Sequence, residues 1–121
     1  MATPKQMFHA KRAEVLIKNL TARHFGACYC ETKEEALQKA LSLIPEGSKV
    51  GWGGAMSAQQ IGLIDAVRNG AYRTIDRDKC ETAEAREQAM KDALFCDTFI
   101  MGANAMSMDG QMVSIDGTGN R

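Results

Sequence analysis

No excess of charge of either sign marks this 121-residue sequence, in which 15 Lys and Arg balance 15 Asp and Glu. A nucleic-acid binder usually carries a basic excess or a clustered basic face, so that class of partner is disfavoured. No apolar run approaches the roughly 20 residues that span a bilayer. The opening Met1-Ala2-Thr3-Pro4-Lys5 leads into a charged amphipathic pattern rather than the apolar core of a signal peptide. A cytoplasmic protein with no membrane partner is therefore expected. The four cysteines, Cys28, Cys30, Cys80 and Cys96, make no C-x-x-C pair, the spacing a zinc or iron–sulfur site would want. They read as free, mostly buried thiols acting as small hydrophobes, and neither a metal nor a cofactor is expected. Internal repeats, low-complexity tracts and linkers are missing too, so one domain is the expectation.

What the sequence does contain is a regular alternation of elements. Thr3-Pro4-Lys5-Gln6 reads as a capping box with proline at the first helical position. Ala13, Leu16, Ile17 and Leu20 follow at helical spacing, and His24 and Gly26 mark a stop. Ala27–Cys30 reads as a short strand. A second capping box at Thr32–Glu35 starts a helix with Ala36, Leu37, Ala40, Leu41 and Ile44 on one face. Lys49–Trp52 reads as a strand, and a helix capped at Ser57 carries Ile61, Ile64 and Val67. Tyr72–Ile75 is a strand, Thr82–Cys96 a helix with Ala89, Met90, Ala93 and Leu94 as its inner stripe, and Thr98–Met101 a strand. The turn signal Asp109-Gly110 precedes a last strand at Met112–Ile115, expected to be antiparallel and at one side. Strands alternating with helices imply an α/β fold: a mostly parallel sheet flanked by helices in three layers.

Ligands of open α/β sheets sit outside the carboxyl ends of the strands, and two glycine-rich corners fall at such places. The first is Gly51-Trp52-Gly53-Gly54-Ala55-Met56-Ser57. Glycines there let a ligand approach main-chain N–H groups, and the following helix start favours an anion. Met56 stands where the dinucleotide fingerprint needs its third glycine, although Asp76 ends the next strand as a ribose-binding acid does. The corner is equally consistent with a tight turn. The second corner, Asp116-Gly117-Thr118-Gly119-Asn120-Arg121, offers a hydroxyl, an amide and a guanidinium suited to a phosphate or carboxylate. Its plain alternative is a frayed polar segment.

Among single residues, Trp52 either stacks on a flat ligand or packs, and Asn104 either bonds a ligand or its own turn. Asp116 is either a general base or a helix cap, and Asp109 a turn former. Arg68, Arg73, Arg77 and Lys79 read as a solvated stretch, and the eight methionines as core filling.

The run Val50–Ser57 with Ile61-Gly62-Leu63, then Gly102-Ala103-Asn104-Ala105, Asp109-Gly110 and Ile115–Arg121, resembles in content and order the motifs of the LUD (lactate-utilisation) domain family. The resemblance implies a fold similar to the sugar-phosphate isomerase and coenzyme A transferase group. It also implies a part in oxidising L-lactate to pyruvate beside iron–sulfur subunits, as a non-redox partner binding a small anionic ligand, with a homo-oligomer expected. Family domains continue beyond the asparagine–arginine pair, so the sequence reads as an incomplete domain, doubtful as an independent catalyst. The site residues implied are Gly51, Trp52, Gly53, Gly54, Ser57, Asn104, Gly117, Thr118, Gly119, Asn120 and Arg121, with Asp116 as the catalytic candidate. Two other readings stay open: an isomerase- or transferase-like enzyme acting on a phosphorylated sugar or acyl-coenzyme A, and an assembly module without a ligand.

Overall fold

The computed structural model describes every residue from Met1 to Arg121. They gather into two compact units, one of residues 1–36 and 103–115, the other of residues 37–102 and 116–121.

The first unit is built on α1 (Pro4–Ala22), whose start follows from its capping box. Thr3 Oγ1 accepts the Gln6 amide at 3.2 Å, and Gln6 Oε1 accepts the Thr3 amide at 2.8 Å. Two of the helix's orphan donors are thereby satisfied. The helix stops earlier than the pattern suggests, because His24 rather than Gly26 takes the left-handed conformation, with φ 68°. Residues 27–30 form no strand. Their short alternation has no partner strand, and without a ladder such a stretch has nothing to hold it extended. Cys28 is consequently exposed, and Cys30, like Cys80 and Cys96, is only partly buried, so the cysteines, none of them in a disulfide, are not core residues.

β4 (Ala105–Met106) and β5 (Met112–Val113) pair antiparallel as a hairpin of their own. The last strand is antiparallel as expected, yet with two residues it pairs with β4 alone and does not extend the parallel sheet. Asn19 Nδ2 donates to the Met108 carbonyl at 2.7 Å, and Arg23 Nε to that of Asp109 at 3.0 Å. These bonds fasten the turn to the end of α1.

In the second unit, β1 (Lys49–Trp52), β2 (Arg73–Ile75) and β3 (Thr98–Ile100) form a parallel sheet in the order β2-β1-β3. The central strand is buried on both faces, as parallel strands usually are; Val50 is 0% and Trp52 2% exposed. Val50 and Trp52 join Ile44, Leu63, Ile64 and Val67 in one core. α2 (Lys33–Ser42) sets Leu37, Ala40 and Leu41 against that core, the face its spacing predicts. Between Val50 and Trp52, Gly51 has no room for a side chain. A Cβ there would stand 2.9 Å from that of Ala93, so glycine lets the segment around Ala93 lie directly on the strand.

Two expected helices change shape. The one expected from Ser57 becomes α3 (Met56–Gln60) and α4 (Leu63–Asn69), because Gly62 between them adopts φ 83°. Ser57 lies inside the first turn of α3, and the capping residue, Ala55, supplies no side-chain bond. The other, α5 (Ala83–Asp92), begins where expected, with Thr82 as its cap, but gives way to a 3-10 turn at Ala93–Phe95. The tighter turn rotates the side chains that follow. Ala93 is buried, while Leu94 and Phe95 point outward.

Candidate functional site

The order β2-β1-β3 means the chain leaves β1 for one side and returns to β3 on the other. The reversal lies between β1 and β3, and the crevice beyond the carboxyl ends at such a reversal is where open α/β sheets bind ligands. Both glycine corners are there. Past the strand ends the two chains stay zipped, with Gly53 N–H to the Ile100 carbonyl at 3.0 Å and Gly102 N–H to that of Gly54 at 2.8 Å. Asp116–Arg121 folds over this floor. A Cβ on Gly53 would lie 3.0 Å from Arg121 Cγ and 3.5 Å from Asn120 Nδ2, and one on Gly54 3.6 Å from Arg121 Nη1. Glycine at 53 thus leaves room for the close approach of the arginine.

Arg121 does not present an unengaged fork, in contrast to the expectation from its residue type. Its Nε donates to Asp116 Oδ1 at 2.8 Å, its Nη1 to the Gly102 carbonyl at 3.1 Å, and its amide to Asp116 Oδ2 at 3.2 Å. Both side chains are largely covered, at 12% and 13% exposure. Partial desolvation pushes the Asp116 carboxyl up. The Arg121 side-chain bond, the Arg121 amide, the guanidinium charge and the Asn120 amide together outweigh it and hold the carboxyl below its ordinary value. A carboxylate so held is a weak base at neutral pH, so Asp116 is a partner of Arg121 before it is a proton acceptor.

Thr118, Gly119 and Asn120 line one wall of a hollow of about 160 Å³, and Met90, Lys91 and Leu94 the other. Lys91 was not suggested by the sequence. Its only signal is its place one helical turn before Leu94, beside the residues expected to pack. Gly117 stands exposed with nothing within 4 Å of a would-be side chain, and Ser57 is exposed on α3.

Two candidates do something other than face a ligand. Trp52 is 2% exposed, which leaves no ring face for stacking. Its indole Nε1 donates to Asp78 Oδ2 at 2.9 Å, and the Arg68 guanidinium lies over the ring at 5.4 Å. Asn104, in the first unit, closes the hairpin: its Oδ1 accepts the Ile115 amide at 2.8 Å, and its N–H donates to the Val113 carbonyl at 2.9 Å. Of the basic stretch, Arg73 and Lys79 are exposed as expected, whereas Arg68 and Arg77 are partly buried. Arg68 is bidentate on Asp76, at 2.6 and 3.2 Å, so Asp76 is occupied by an arginine where a ribose was conceivable. Burial pushes Asp76 up, but the Arg68 bond and charge, the Asp78 amide and the Lys79 charge bring its pKa below the ordinary value.

These features define an α/β fold whose two glycine-rich corners meet at the topological reversal of a parallel sheet. Residues 13–121 match the family model of the LUD domain, and the chain belongs to that family, which is tied to lactate utilisation. No curated protein and no solved structure matches the chain. No helix is long and apolar enough to cross a membrane.

Proposed function

We propose that this domain binds a small carboxylate- or phosphate-bearing anion in the crevice between the ends of β1 and β3. In this reading it serves L-lactate oxidation as a non-redox partner of iron–sulfur subunits, within a fold of the sugar-phosphate isomerase and coenzyme A transferase kind. The observation that carries it is the meeting of Gly53 and Gly54 with Arg121 at the sheet's reversal point. Arg121 already holds a carboxylate there, that of Asp116, and the planar fork of arginine suits a ligand carboxylate in the same way. Such a ligand would take over contacts that Asp116 now makes.

The test is thermal unfolding of the full chain with L-lactate, pyruvate or inorganic phosphate. Binding at one hundred times the dissociation constant adds about 2.7 kcal/mol to stability, and Arg121→Gln should remove the shift. Unchanged melting with all three ligands at every concentration would rule the crevice out as an anion site.

A further inference from the structure

A second group of charges lies at the carboxyl end of β2, where the crevice reading has no use for it. Its centre is Asp78. Oδ2 of that carboxylate is anchored, by Trp52 Nε1 at 2.9 Å and Arg68 Nη2 at 3.3 Å. Oδ1 is differently placed. Arg77 Nε stands 3.8 Å from it and Arg86 Nη1 3.9 Å, both beyond hydrogen-bond reach. Two guanidinium groups thus converge on one oxygen that neither properly engages.

Arg77 is the anomaly. Its side chain is 17% exposed, yet its Nε is buried without a hydrogen-bond partner. Buried donors are almost always satisfied, and one that is not calls for a physical reason. Arg86 is nearly half exposed, and its one bond is a long one, 3.5 Å, from Nη1 to the Arg77 carbonyl. Arg68 adds no shortage of its own, being committed to Asp76, Asp78 and Asp65. Lys79 adds further positive charge beside Asp76. Around Asp78 the cations outnumber the carboxylates available to them, and the surplus sits on Arg77 and Arg86.

We infer that Arg77 and Arg86 form a phosphate-binding site at the end of β2, separate from the crevice at Arg121. A phosphate group presents three terminal oxygens, enough to satisfy both forks together. It would replace only the two long contacts to Asp78 Oδ1, while Oδ2 kept its anchors. The site also lies on the sheet's carboxyl rim, where ligands of this architecture gather. Inorganic phosphate and a phosphate monoester share this chemistry.

Trp52 is the only tryptophan in the sequence, and its indole bonds the same Asp78, so its fluorescence reports on the site directly. The full chain is titrated at constant ionic strength with inorganic phosphate, with glycerol phosphate, with malonate and with chloride. Expected is a saturable change in Trp52 emission with phosphate or the ester, weakened at least tenfold by Arg77→Gln and by Arg86→Gln. Phosphate saturating alone would identify the free ion as the ligand, and the ester binding more tightly would identify an esterified one. Arg121→Gln, which removes anion binding at the crevice, should keep a saturable phosphate response that Arg86→Gln abolishes, which separates this site's failure from that of the crevice. No saturable response, an equal response to malonate or chloride, or a response that survives Arg86→Gln would overturn the site. Should Arg77→Gln fail to fold, the exposed Arg86 decides alone.

Discussion

Asp116 Oδ1 lies 2.8 Å from Arg121 Nε, and the same guanidinium reaches the Gly102 carbonyl at the end of β3. The chain thus fills the reversal point of its sheet with an ion pair of its own. If a ligand anion uses Arg121, Asp116 competes with it. Asp116→Asn removes the competing charge and should tighten anion binding roughly tenfold, the scale of one charge-assisted contact. Arg121→Gln should abolish binding. Calorimetric titration with the best ligand from the melting experiments measures both. Weaker binding in Asp116→Asn would show instead that the carboxylate helps the ligand, by orienting Arg121 or by accepting a proton.

Gly51 illustrates a glycine whose reason is packing. A Cβ there meets Ala93 at 2.9 Å between a central strand and the segment lying on it. Neither side can move without disturbing the core, so Gly51→Ala should cost about 1–3 kcal/mol, the usual penalty of overpacking. Gly26, with nothing within 4 Å, is the control, and Gly26→Ala should stay within about 0.5 kcal/mol of the parent. Urea unfolding followed by Trp52 fluorescence compares them. Equal midpoints would mean that the contact at Ala93 relaxes freely.

Much of this arrangement was legible in the sequence, and the parts that were not have identifiable causes. Caps at Thr3 and Thr32 and the alternation of strands and helices depend on neighbouring residues alone, and they appear in place. The Gly53 and Arg121 corners meet, yet strand polarity alone did not dictate it, because the second follows β5, an antiparallel strand of a separate hairpin. What escaped depends on partners distant in sequence. Ala27–Cys30 looks like a strand until no neighbour pairs with it. Trp52 beside glycines left stacking and packing both open; its burial decides for packing, and Asp78, twenty-six positions on, takes its indole N–H. Arg68 and Arg77 read as solvated because charge alone does not tell which carboxylates the fold will bring to them.

The Arg68–Asp76 pair should be visible in acid. Asp76 is 10% exposed and Arg68 24%, and the folded-state pKa of Asp76 is lowered. A depressed carboxylate contributes stability that is complete above its unfolded value, near 4, and is lost as pH falls through the folded one. The parent should therefore hold its pH 7 stability down to about pH 4 as far as this pair is concerned, then lose it. Arg68→Ala strips the compensation and leaves burial to raise Asp76. A raised folded pKa makes the native state the better proton binder, so the variant should lose about 2–4 kcal/mol at pH 7, toward the lower side of broken buried pairs because Arg68 is partly solvated, and this deficit should shrink as pH falls through about 4. Urea midpoints from pH 7 to pH 3 would reveal the shift. An acid limb unchanged by the substitution would mean that Asp76 does not depend on this arginine.

Gly110 and Gly119 separate backbone strain from crowding. Both have positive φ, 89° and 68°, so alanine is strained at either, by roughly 1 kcal/mol or somewhat more. Their surroundings differ. A Cβ on Gly110 would stand 3.2 Å from the Asn19 carbonyl carbon and from the Leu20 nitrogen, backbone atoms of α1 that cannot swing aside, whereas one on Gly119 meets nothing within 4 Å. The hairpin turn would have to lift, stretching the bonds from Asn19 to Met108 and from Arg23 to Asp109. Gly110→Ala should therefore cost about 1–3 kcal/mol more than Gly119→Ala, and amide exchange of the hairpin should quicken in the former alone. If both variants lose the same stability and the hairpin amides remain equally protected, the turn is not held against the helix as closely as these distances state.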